Sequence, residues 1–319
     1  MSKTIISYSD YMISRNELTV SEFVNKLSGD FLKEWGELFM GGEIEREELV
    51  EILKNTNNIE KVAIENRDNE PHMFKELFQK YLDNSQTKCE DIGYLIYCRG
   101  DSIADGKNIP YWLQQEFNIP DTQVLCIEQE CSATLMAINI ANALISQGNS
   151  KKIVILSRNF FKTYESRLMG LFVVSDGIAI MEISAGESGL QPYFFDAIAN
   201  GYINKISDFS FKANDVVEIG IKLLTRLLHK CRLTMNDISL IIPQNTVLSG
   251  WNIYCSQMNF PIEKIFADNY GGLGHCGDVD MPRNITDMRR KNLIKKGDYL
   301  LAYALGTGTS WNSLILYNN

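Results

Sequence analysis

The stretch that decides the fold reads Val124-Leu125-Cys126-Ile127-Glu128-Gln129-Glu130-Cys131-Ser132. Its first four residues have the pattern of a short buried strand. The segment that follows, residues 133–147, is rich in Ala, Leu, Ile and Asn and ends at Gly148, which is typical of a helix with a glycine C-cap. Because a second strand is predicted at residues 153–157, the sequence predicts a strand–helix–strand unit of the kind that builds a parallel sheet.

Residues 17–83 form a charged region that is predicted to be helical. After it, strands and helices alternate both before and after the strand–helix–strand unit. Strands are predicted at residues 92–98, 238–242, 299–305 and 311–317, and helices at residues 110–117, 215–230 and 247–258. The sequence therefore predicts an α/β chain with two halves of similar content. We place the boundary between residues 1–188, which contain Cys131, and residues 189–319.

Composition narrows the possible functions. The chain has 319 residues, of which 45% are hydrophobic and 22% charged, as expected for a globular protein with a sizeable core. Its net charge of −9 argues against nucleic acid or an anionic membrane as a partner. We see no leader peptide and no apolar run of the ~18 residues that span a bilayer. The seven cysteines form no CxxC pair, so we expect reduced thiols, a cytoplasmic protein and no structural zinc.

Cys131 is the first candidate for chemistry. It follows the predicted strand and precedes the predicted helix, where free backbone N–H groups and the helix dipole favour the nucleophilic thiolate form. The alternative is that Cys131 is one of seven ordinary buried thiols. Its position alone leaves both interpretations open.

His275 is the second candidate. It lies in the string Asn269-Tyr270-Gly271-Gly272-Leu273-Gly274-His275-Cys276-Gly277-Asp278-Val279-Asp280. Glycines on both sides indicate a constrained loop that approaches another backbone closely. Asp278 and Asp280 are both placed to accept a hydrogen bond from the ring and to stabilise an imidazolium. The alternative is a connecting loop in which Asp280 is a helix N-cap.

A third candidate is the turn Gly306-Thr307-Gly308-Thr309-Ser310-Trp311. Glycines allow backbone N–H groups to point at an anion or at a carbonyl oxygen, as an oxyanion hole requires. The Gly-x4-Gly-Lys-Ser/Thr pattern is missing, so this turn is not a P-loop. A tight hairpin is the alternative.

The order of these three features resembles the ketoacyl synthase III branch of the thiolase superfamily. From residue 91 onward, further segments resemble that family's Gly-Asp-Gly, Pro-His-Gln, Gly-Asn and terminal glycine motifs: Ser175-Asp176-Gly177, Ile242-Pro243-Gln244-Asn245, Asn269-Tyr270-Gly271-Gly272 and Leu305-Gly306-Thr307-Gly308. The resemblance implies the thiolase fold, in which two pseudo-repeated halves form five alternating layers, αβαβα. It also implies a homodimer.

Two departures from the condensing members of that family bear on the reaction. Those enzymes use a Cys-His-Asn set, whereas here the expected His is Gln244 and the expected Asn falls at Gly272. Gln244 is expected to keep one hydrogen-bond donor as a secondary site residue, but Gly272 offers no side chain. We therefore expect no decarboxylative carbon–carbon bond formation.

The spacing from Gly274-His275 to Asp280 instead resembles a subgroup of ketoacyl-synthase-III-like acyltransferases from natural-product pathways, which use a Cys-His-Asp triad. The resemblance implies that Cys131 is the nucleophile, His275 the base and Asp280 its orienting partner, with Asp278 as a substitute. It also implies that Gly308 supplies a backbone N–H to the oxyanion hole.

The implied reaction moves an acyl group from a pantetheine thioester to a small hydroxyl or amine acceptor, with no bound cofactor. The donor is acyl carrier protein or coenzyme A. The family's adenine-binding Trp and Arg have no match here, since Trp35 fits poorly and only Arg158 and Arg167 remain as phosphate ligands, so we favour the carrier protein. The alternatives are a condensing synthase with an altered site, a non-catalytic partner subunit and a thioester hydrolase.

Overall fold

The computed structural model describes residues 3–99, 108–119, 121–149, 151–205, 209–306 and 309–319. The strands are β1 (Lys3–Ile13), β2 (Glu17–Thr19), β3 (Lys61–Ala63), β4 (Ile92–Arg99), β5 (Gln123–Glu128), β6 (Lys152–Asn159), β7 (Leu168–Met169), β8 (Phe172–Val173), β9 (Gly177–Gly186), β10 (Leu190–Ala199), β11 (Ile238–Ile242), β12 (Tyr299–Gly306) and β13 (Ser310–Asn318). The helices are α1 (Val20–Lys26), α2 (Gly29–Phe39), α3 (Arg46–Asn57), α4 (Glu70–Ser85), α5 (Ile109–Glu116), α6 (Ala133–Ser146), α7 (Phe209–Cys231), α8 (Leu248–Met258) and α9 (Asp280–Arg290).

Nine strands form one sheet in the order β11-β12-β13-β10-β1-β9-β6-β4-β5. At its centre β1 meets β10 at the aligned pair Ile6 and Leu190, so the sheet divides there into two halves. From the centre outward, the first half runs β1, β9, β6, β4, and the second runs β10, β13, β12, β11. If the strands of each half are numbered along the chain, both halves have the order first, fifth, fourth, second. The third strand along the chain lies at the outer edge of each half. In the first half it is β5, and in the second its position is taken by Ile265, which bridges to Ile241 of β11. The two halves therefore have the same topology.

Helices separate and cover the two halves. α6 contacts strands of both halves, and it shares a buried core with α9 and with the facing sides of both halves. α4 and α5 pack on the outer face of the first half, and α7 and α8 pack on that of the second. The result is five alternating layers, αβαβα, as the resemblance implied. The predicted boundary at residues 188–189 falls between β9 and β10.

The composition of α6 explains its central position. Ala133, Ala137 and Ala141 are fully buried, and these small side chains allow the helix to pack closely between layers on both sides. β4 shows the matching strand pattern, because Ile96 faces this central core while Leu95 faces the outer one. The central helix α6, which begins directly after the turn that contains Cys131, is thus packed between the two halves.

The first 83 residues differ most from the prediction. The charged region at residues 17–83 contains four helices, but it also contains β2 and β3, which pair with each other. The apolar residues of α1, α2 and α3 form a separate core with Val62, Leu168 and Val173, whereas those of α4 belong to the outer core of the first half. None of the described helices is long and apolar enough to cross a membrane.

Candidate active site

Cys131 lies in the turn that connects β5 to α6. A 3-10 turn at Glu130–Ser132 leads directly into the first residue of α6. Glu130 has a φ of 51°, a left-handed conformation that is uncommon for residues other than glycine and concentrates at functional sites. Cys131 is partly exposed, whereas Ser132 is buried. The thiol is therefore accessible at the N-terminal end of a buried helix, where a thiolate is favoured.

Gln244, which follows β11, ties the backbone of Cys131 to β12. Its Nε2 donates to the carbonyl oxygens of Cys131 at 2.6 Å and of Leu305 at 3.1 Å, and its Oε1 accepts from the N–H of Leu305 at 2.8 Å. Both amide hydrogens therefore have backbone acceptors. Gln244 thus donates hydrogen bonds, as the sequence predicted, but to the backbone on either side of the site, and its side chain braces the turn that contains Cys131.

Strand β13 and the end of β12 brace the same turn from another side. Nδ2 of Asn312 donates to the carbonyl of Ser132 and to Oε1 of Gln129, both at 2.8 Å. The hydroxyls of Ser132 and Ser310 lie 2.9 Å apart. A Cβ at Gly306 would lie 2.6 Å from the carbonyl oxygen of Gln129, so only glycine lets the strand approach this closely.

The glycine turn itself is described only in part. Gly306 ends β12 and Ser310 begins β13, and the N–H of Thr309 donates to the carbonyl of Gly306 at 2.9 Å. Gly308, which the sequence predicts to supply an oxyanion-hole N–H, lies outside the described residues. Its role stays a prediction.

His275 is held by its backbone against the chain that follows β8. Its N–H donates to the carbonyl of Val173 at 3.0 Å, and its carbonyl accepts from the N–H of Ser175 at 2.8 Å. This close pairing requires glycine at position 274, because Gly274 has a φ of 72° and a Cβ there would lie 2.4 Å from the Val173 carbonyl oxygen. The ring of Phe172 meets the imidazole edge to face at 5.6 Å. The His275 side chain is buried.

Asp280, at the start of α9, is the carboxylate that orients His275. Its Oδ2 lies 2.5 Å from Nδ1 of His275 and accepts the N–H of Asn245 at 2.7 Å. Its Oδ1 accepts the N–H of Cys276 at 2.9 Å. Fully buried and bonded through both oxygens, Asp280 has a fixed orientation. Its bond to Nδ1 leaves Nε2 of the ring as the nitrogen that faces away from it.

The charges in this site favour a protonated His275. Burial by itself would lower the pKa of His275, but the Asp280 carboxylate and then the Cys131 thiol group raise it to about 10 through charge and side-chain hydrogen bonds. The imidazole is therefore bonded to Asp280 on one side and interacts electrostatically with Cys131 on the other. This arrangement suits an imidazolium–thiolate pair.

Asp278 occupies a different place from the one that the sequence left open for it. Its Oδ1 accepts the N–H of Thr134 at 2.9 Å, in the first turn of α6. Thr134 in turn donates its hydroxyl to the carbonyl of Asp278 at 2.9 Å. Asp278 therefore binds the first turn of α6, and Asp280 is the residue that binds His275.

Gly272, at the expected position of the condensing Asn, is engaged through its backbone. Its N–H donates to the carbonyl of Asn58 at 2.9 Å, and its carbonyl accepts from the N–H groups of Glu60 and Lys61 at 2.9 and 2.8 Å. Its φ is 58°, which favours glycine. This position attaches the His275 loop to the N-terminal segment and presents no side chain to a substrate.

The two arginines considered as phosphate ligands are buried in ion pairs. Arg158 pairs with Glu70 at 3.0 Å and Arg167 with Asp176 at 2.6 Å, so neither is available to a nucleotide. Trp35 is also buried, in the N-terminal core. Within the described ranges, no group of three or more His, Cys, Asp or Glu side chains is placed to hold a metal ion.

Sequence analysis did not single out two residues of this site, Asn312 and Phe172. Asn312 lies beside Ser313 in a strand whose following residues, 314–316, are apolar, and it is fully buried. A buried amide must find partners, so a polar residue inside a predicted central strand was an available signal. Phe172 carried no comparable signal, because aromatic residues are frequent in any core.

Comparison with known proteins places this geometry in context. Residues 228–317 match the family model for the C-terminal part of 3-oxoacyl-[acyl-carrier-protein] synthase III. The β-ketoacyl-[acyl-carrier-protein] synthase III 2 of Bacillus anthracis is 24% identical over 254 residues, which cover 71% of this chain and 76% of the relative. The corresponding synthase III of Clostridium acetobutylicum is 19% identical over 260 residues, covering 74% and 80%.

Solved structures extend the similarity to nearly the whole chain. The 3-oxoacyl-[acyl-carrier-protein] synthase III of Aquifex aeolicus has a TM-score of 0.79 at 18% identity, covering 99% of this chain and 100% of that one. OleA of Xanthomonas campestris, with bound lauric acid and lauroyl-CoA, has a TM-score of 0.81 at 12% identity, covering 99% of each. The acyltransferase ChlB3 has a TM-score of 0.79 at 16% identity, covering 99% and 98%. The predicted thiolase fold is confirmed, and the relatives are enzymes of the ketoacyl synthase III type.

Proposed function

We propose that this chain is an acyltransferase that moves an acyl group from a pantetheine thioester, through an acyl-Cys131 intermediate, to a hydroxyl or amine acceptor in secondary metabolism. One observation carries the proposal. His275 is bonded to Asp280 and interacts electrostatically with Cys131, in a site where the two other groups needed for condensation are replaced by a backbone brace, Gln244, and a glycine, Gly272.

The first half-reaction acylates the enzyme. The Cys131 thiolate attacks the thioester carbonyl carbon, and a new carbon–sulfur bond forms as the carbonyl oxygen becomes an oxyanion. When the oxyanion collapses, the bond to pantetheine breaks and the pantetheine sulfur takes the proton of the His275 imidazolium. His275 is left neutral, with Asp280 holding its Nδ1 and therefore fixing which nitrogen is ready to accept a proton.

The second half-reaction transfers the acyl group. The acceptor's hydroxyl or amine attacks the acyl-Cys131 carbonyl while neutral His275 removes its proton. Collapse of the second oxyanion releases the product and restores the thiolate and the imidazolium. Each oxyanion would be held by the backbone N–H groups of Cys131 and Gly308, worth ~3 kcal/mol per donor in such sites.

Two features argue against a decarboxylating condensation. That reaction needs two side-chain groups that hold the malonyl thioester oxygen while an enolate forms. Gln244 uses both amide hydrogens on the carbonyls of Cys131 and Leu305, and Gly272 has no side chain. A condensing enzyme is nevertheless what the names of the relatives would suggest, so carbon dioxide release is part of the test.

The favoured donor is an acyl carrier protein. The relatives' own names include that carrier, and three residues weighed for binding a nucleotide, Trp35, Arg158 and Arg167, are buried in the core or in ion pairs. An acyl carrier protein delivers pantetheine without a nucleotide. Coenzyme A remains the other donor to be tested.

The sheet edge supports a homodimer. β5 is the last strand of the nine-stranded sheet, and both Leu125 and Cys126 on it are exposed. An edge strand with exposed apolar residues is a template for pairing with another chain. A dimer by light scattering, converted to a monomer by Leu125→Glu, would support this assignment, and a wild-type monomer would contradict it.

The proposal is tested by the intact mass of the protein after incubation with a panel of acyl-carrier-protein and acyl-coenzyme A thioesters. We expect a stable adduct that maps to Cys131, is missing in Cys131→Ala and disappears when an amine or hydroxyl acceptor is added. Adduct formation in Cys131→Ala would refute the scheme.

The other outcomes identify the alternatives. Turnover with carbon dioxide release from a malonyl thioester would establish a condensing synthase. Loss of the adduct in water at the same rate with and without acceptors would establish a thioester hydrolase. No adduct with any donor would indicate a non-catalytic partner subunit.

A further inference from the structure

Asp278 holds the N-terminus of the nucleophile helix with one of its two carboxyl oxygens. Its Oδ1 accepts the N–H of Thr134 at 2.9 Å, and the Thr134 hydroxyl, which donates to the Asp278 carbonyl, also lies 2.7 Å from the hydroxyl of Ser157. Asp278 is 2% exposed, and its Oδ2 is buried with no hydrogen-bond partner among the described residues. A buried carboxyl oxygen without a partner is costly when it is charged.

The surroundings of Asp278 contain few charges that would stabilise its ionised form. Its turn, Gly277–Val279, packs against the Cys131 turn, α6, α9, β6 and β9, and α6 carries no charged residue. Of the cations, His275 shares its proton with Asp280, and Arg158 and Lys152 of β6 pair with Glu70 and Glu182. The acidic and thiol groups of this region are Glu130, Cys131, Asp280, Cys98 and Cys276. Arg283 of α9 is a further buried cation, which donates to Sγ of Cys276 at 3.7 Å. Farther along α9, Asp287, Arg289 and Arg290 bind β1.

We propose that Asp278 is a positioning residue that controls how strongly the start of α6 stabilises the Cys131 thiolate. When Asp278 is neutral, the positive end of the helix is available to the thiolate. When Asp278 is ionised, a second negative charge occupies the same helix end and opposes the thiolate. This inference rests on the proposed function, in which Cys131 reacts as a thiolate.

The titration of Asp278 falls where it would affect the enzyme. Burial raises the pKa of Asp278 to about 7, although the N–H of Thr134 and the charge of His275 act in the opposite direction. Below that pH the neutral form of Asp278 prevails, and the positive end of α6 faces Cys131 without a competing charge. Above it, the carboxylate forms and places a negative charge at this helix end.

The experiment measures alkylation of Cys131 by iodoacetamide between pH 5 and pH 9 in the full chain, read by peptide mass. A Cys126→Ser background removes an exposed competing thiol. We expect Asp278→Asn to turn a broad profile into a single titration. Its alkylation at pH 8 should be about tenfold faster, because the like charge that opposes the thiolate at this helix end is removed.

Two further variants keep the test decisive. Asp278→Ser also removes the charge and keeps a hydroxyl that caps helices well, so it should change the profile in the same direction if Asp278→Asn folds poorly. Asp268→Asn removes an exposed charge that pairs with Lys291 and should leave the profile unchanged. A profile of unchanged shape in both Asp278 variants, including one lowered equally at every pH, would overturn the inference.

The readout needs no acyl donor, so it fails independently of the proposed function. If acyl-Cys131 forms while the two Asp278 variants keep the wild-type profile, the inference is wrong and the acyl transfer stands. If no donor acylates Cys131 but the profile changes as expected, Asp278 still controls the thiolate and the proposed function is wrong.

Discussion

Replacement of Asp280 by Asn removes the negative charge beside His275 and preserves the size of the side chain. The carboxylate is fully buried and lies 2.5 Å from Nδ1. Two opposite charges with centres about 4 Å apart interact by about 4 kcal/mol at an effective dielectric of about 20. Because 1.36 kcal/mol corresponds to one pKa unit, Asp280→Asn should lower the pKa of His275 by about three units from its value of about 10.

The rate of acylation of Cys131 should fall together with the pKa of His275. In Asp280→Asn the imidazolium–thiolate pair loses about 4 kcal/mol of support, which corresponds to a rate about 10³-fold lower. The assay is single-turnover acylation of Cys131 at pH 8, quenched and read by intact mass. The alkylation profile of Cys131 against pH, measured in parallel, reports the pair without any acyl donor.

The matched control for this prediction is Asp287→Asn. Asp287 is also on α9 and bonds to Tyr11 and Asn269, but not to His275. It should change acylation less than threefold, and urea unfolding of both variants shows whether each is folded under assay conditions. An Asp280→Asn protein that acylates within threefold of wild type, with an unchanged alkylation profile, would refute the assigned role of Asp280.

Three further changes test how the site is supported. Gln244→Ala removes three hydrogen bonds to the backbone and should lower the free energy of unfolding by about 2–4 kcal/mol in urea; a loss below 1 kcal/mol would contradict its role as a brace. Gly274→Ala should lower the free energy of unfolding by at least ~1–3 kcal/mol, because the φ of Gly274 is positive and a Cβ would lie 2.4 Å from a carbonyl oxygen. Its control is Gly250→Ala, in open space within α8, which should leave the free energy of unfolding unchanged or raise it. Equal effects of the two substitutions would contradict the role of Gly274. The pKa of His275 is raised in the folded state from 6.5 to about 10, so its contribution to stability is fully present below about pH 6.5 and is lost as the pH rises toward 10. The free energy of unfolding should therefore fall in that window by up to about 1.4 kcal/mol per pH unit, and the same slope in His275→Gln would contradict the assignment.

The sequence predicted those helices and strands that are determined by the residue pattern of their own segment. β11 was predicted with the bounds that the structure has, residues 238–242, and α6 was predicted to within one residue, because small apolar residues and a glycine C-cap mark it. β1, β9 and β10 were not predicted, although they form the centre of the sheet. β1 contains Ser7, Ser9 and Asp10 among its apolar residues, and these are satisfied by partners far along the chain, such as Glu182 and Arg290.

The candidate site shows the same limit. The spacing from His275 to Asp280 is short, and the sequence could indicate the pair but not choose between Asp278 and Asp280. That choice depends on Thr134, which is 144 residues away from Asp278 in the chain and binds it. The role of Gln244 likewise depends on Cys131 and Leu305, which are distant in sequence. Contacts of this kind are set by the packing of the two halves, which local periodicity does not encode.

The packing also explains why the turn that contains Cys131 is held by so many hydrogen bonds. Cys131 must stay at the start of α6 while its neighbour Glu130 keeps a left-handed backbone, and such a conformation persists only when its surroundings fix it. Gln244 and Asn312 bind the carbonyl oxygens of Cys131 and Ser132, while Asp278 binds the first turn of α6. The two halves of the fold thus meet at Cys131.

The most direct test of the central claim is the fate of a malonyl group that is offered as a carrier-protein thioester labelled at its free carboxylate. We predict that any acyl-Cys131 adduct keeps the label, that no labelled carbon dioxide is released, and that an added amine or hydroxyl acceptor removes the intact acyl group from the enzyme. Release of labelled carbon dioxide together with a carbon–carbon bonded product would contradict the account and establish a condensing enzyme.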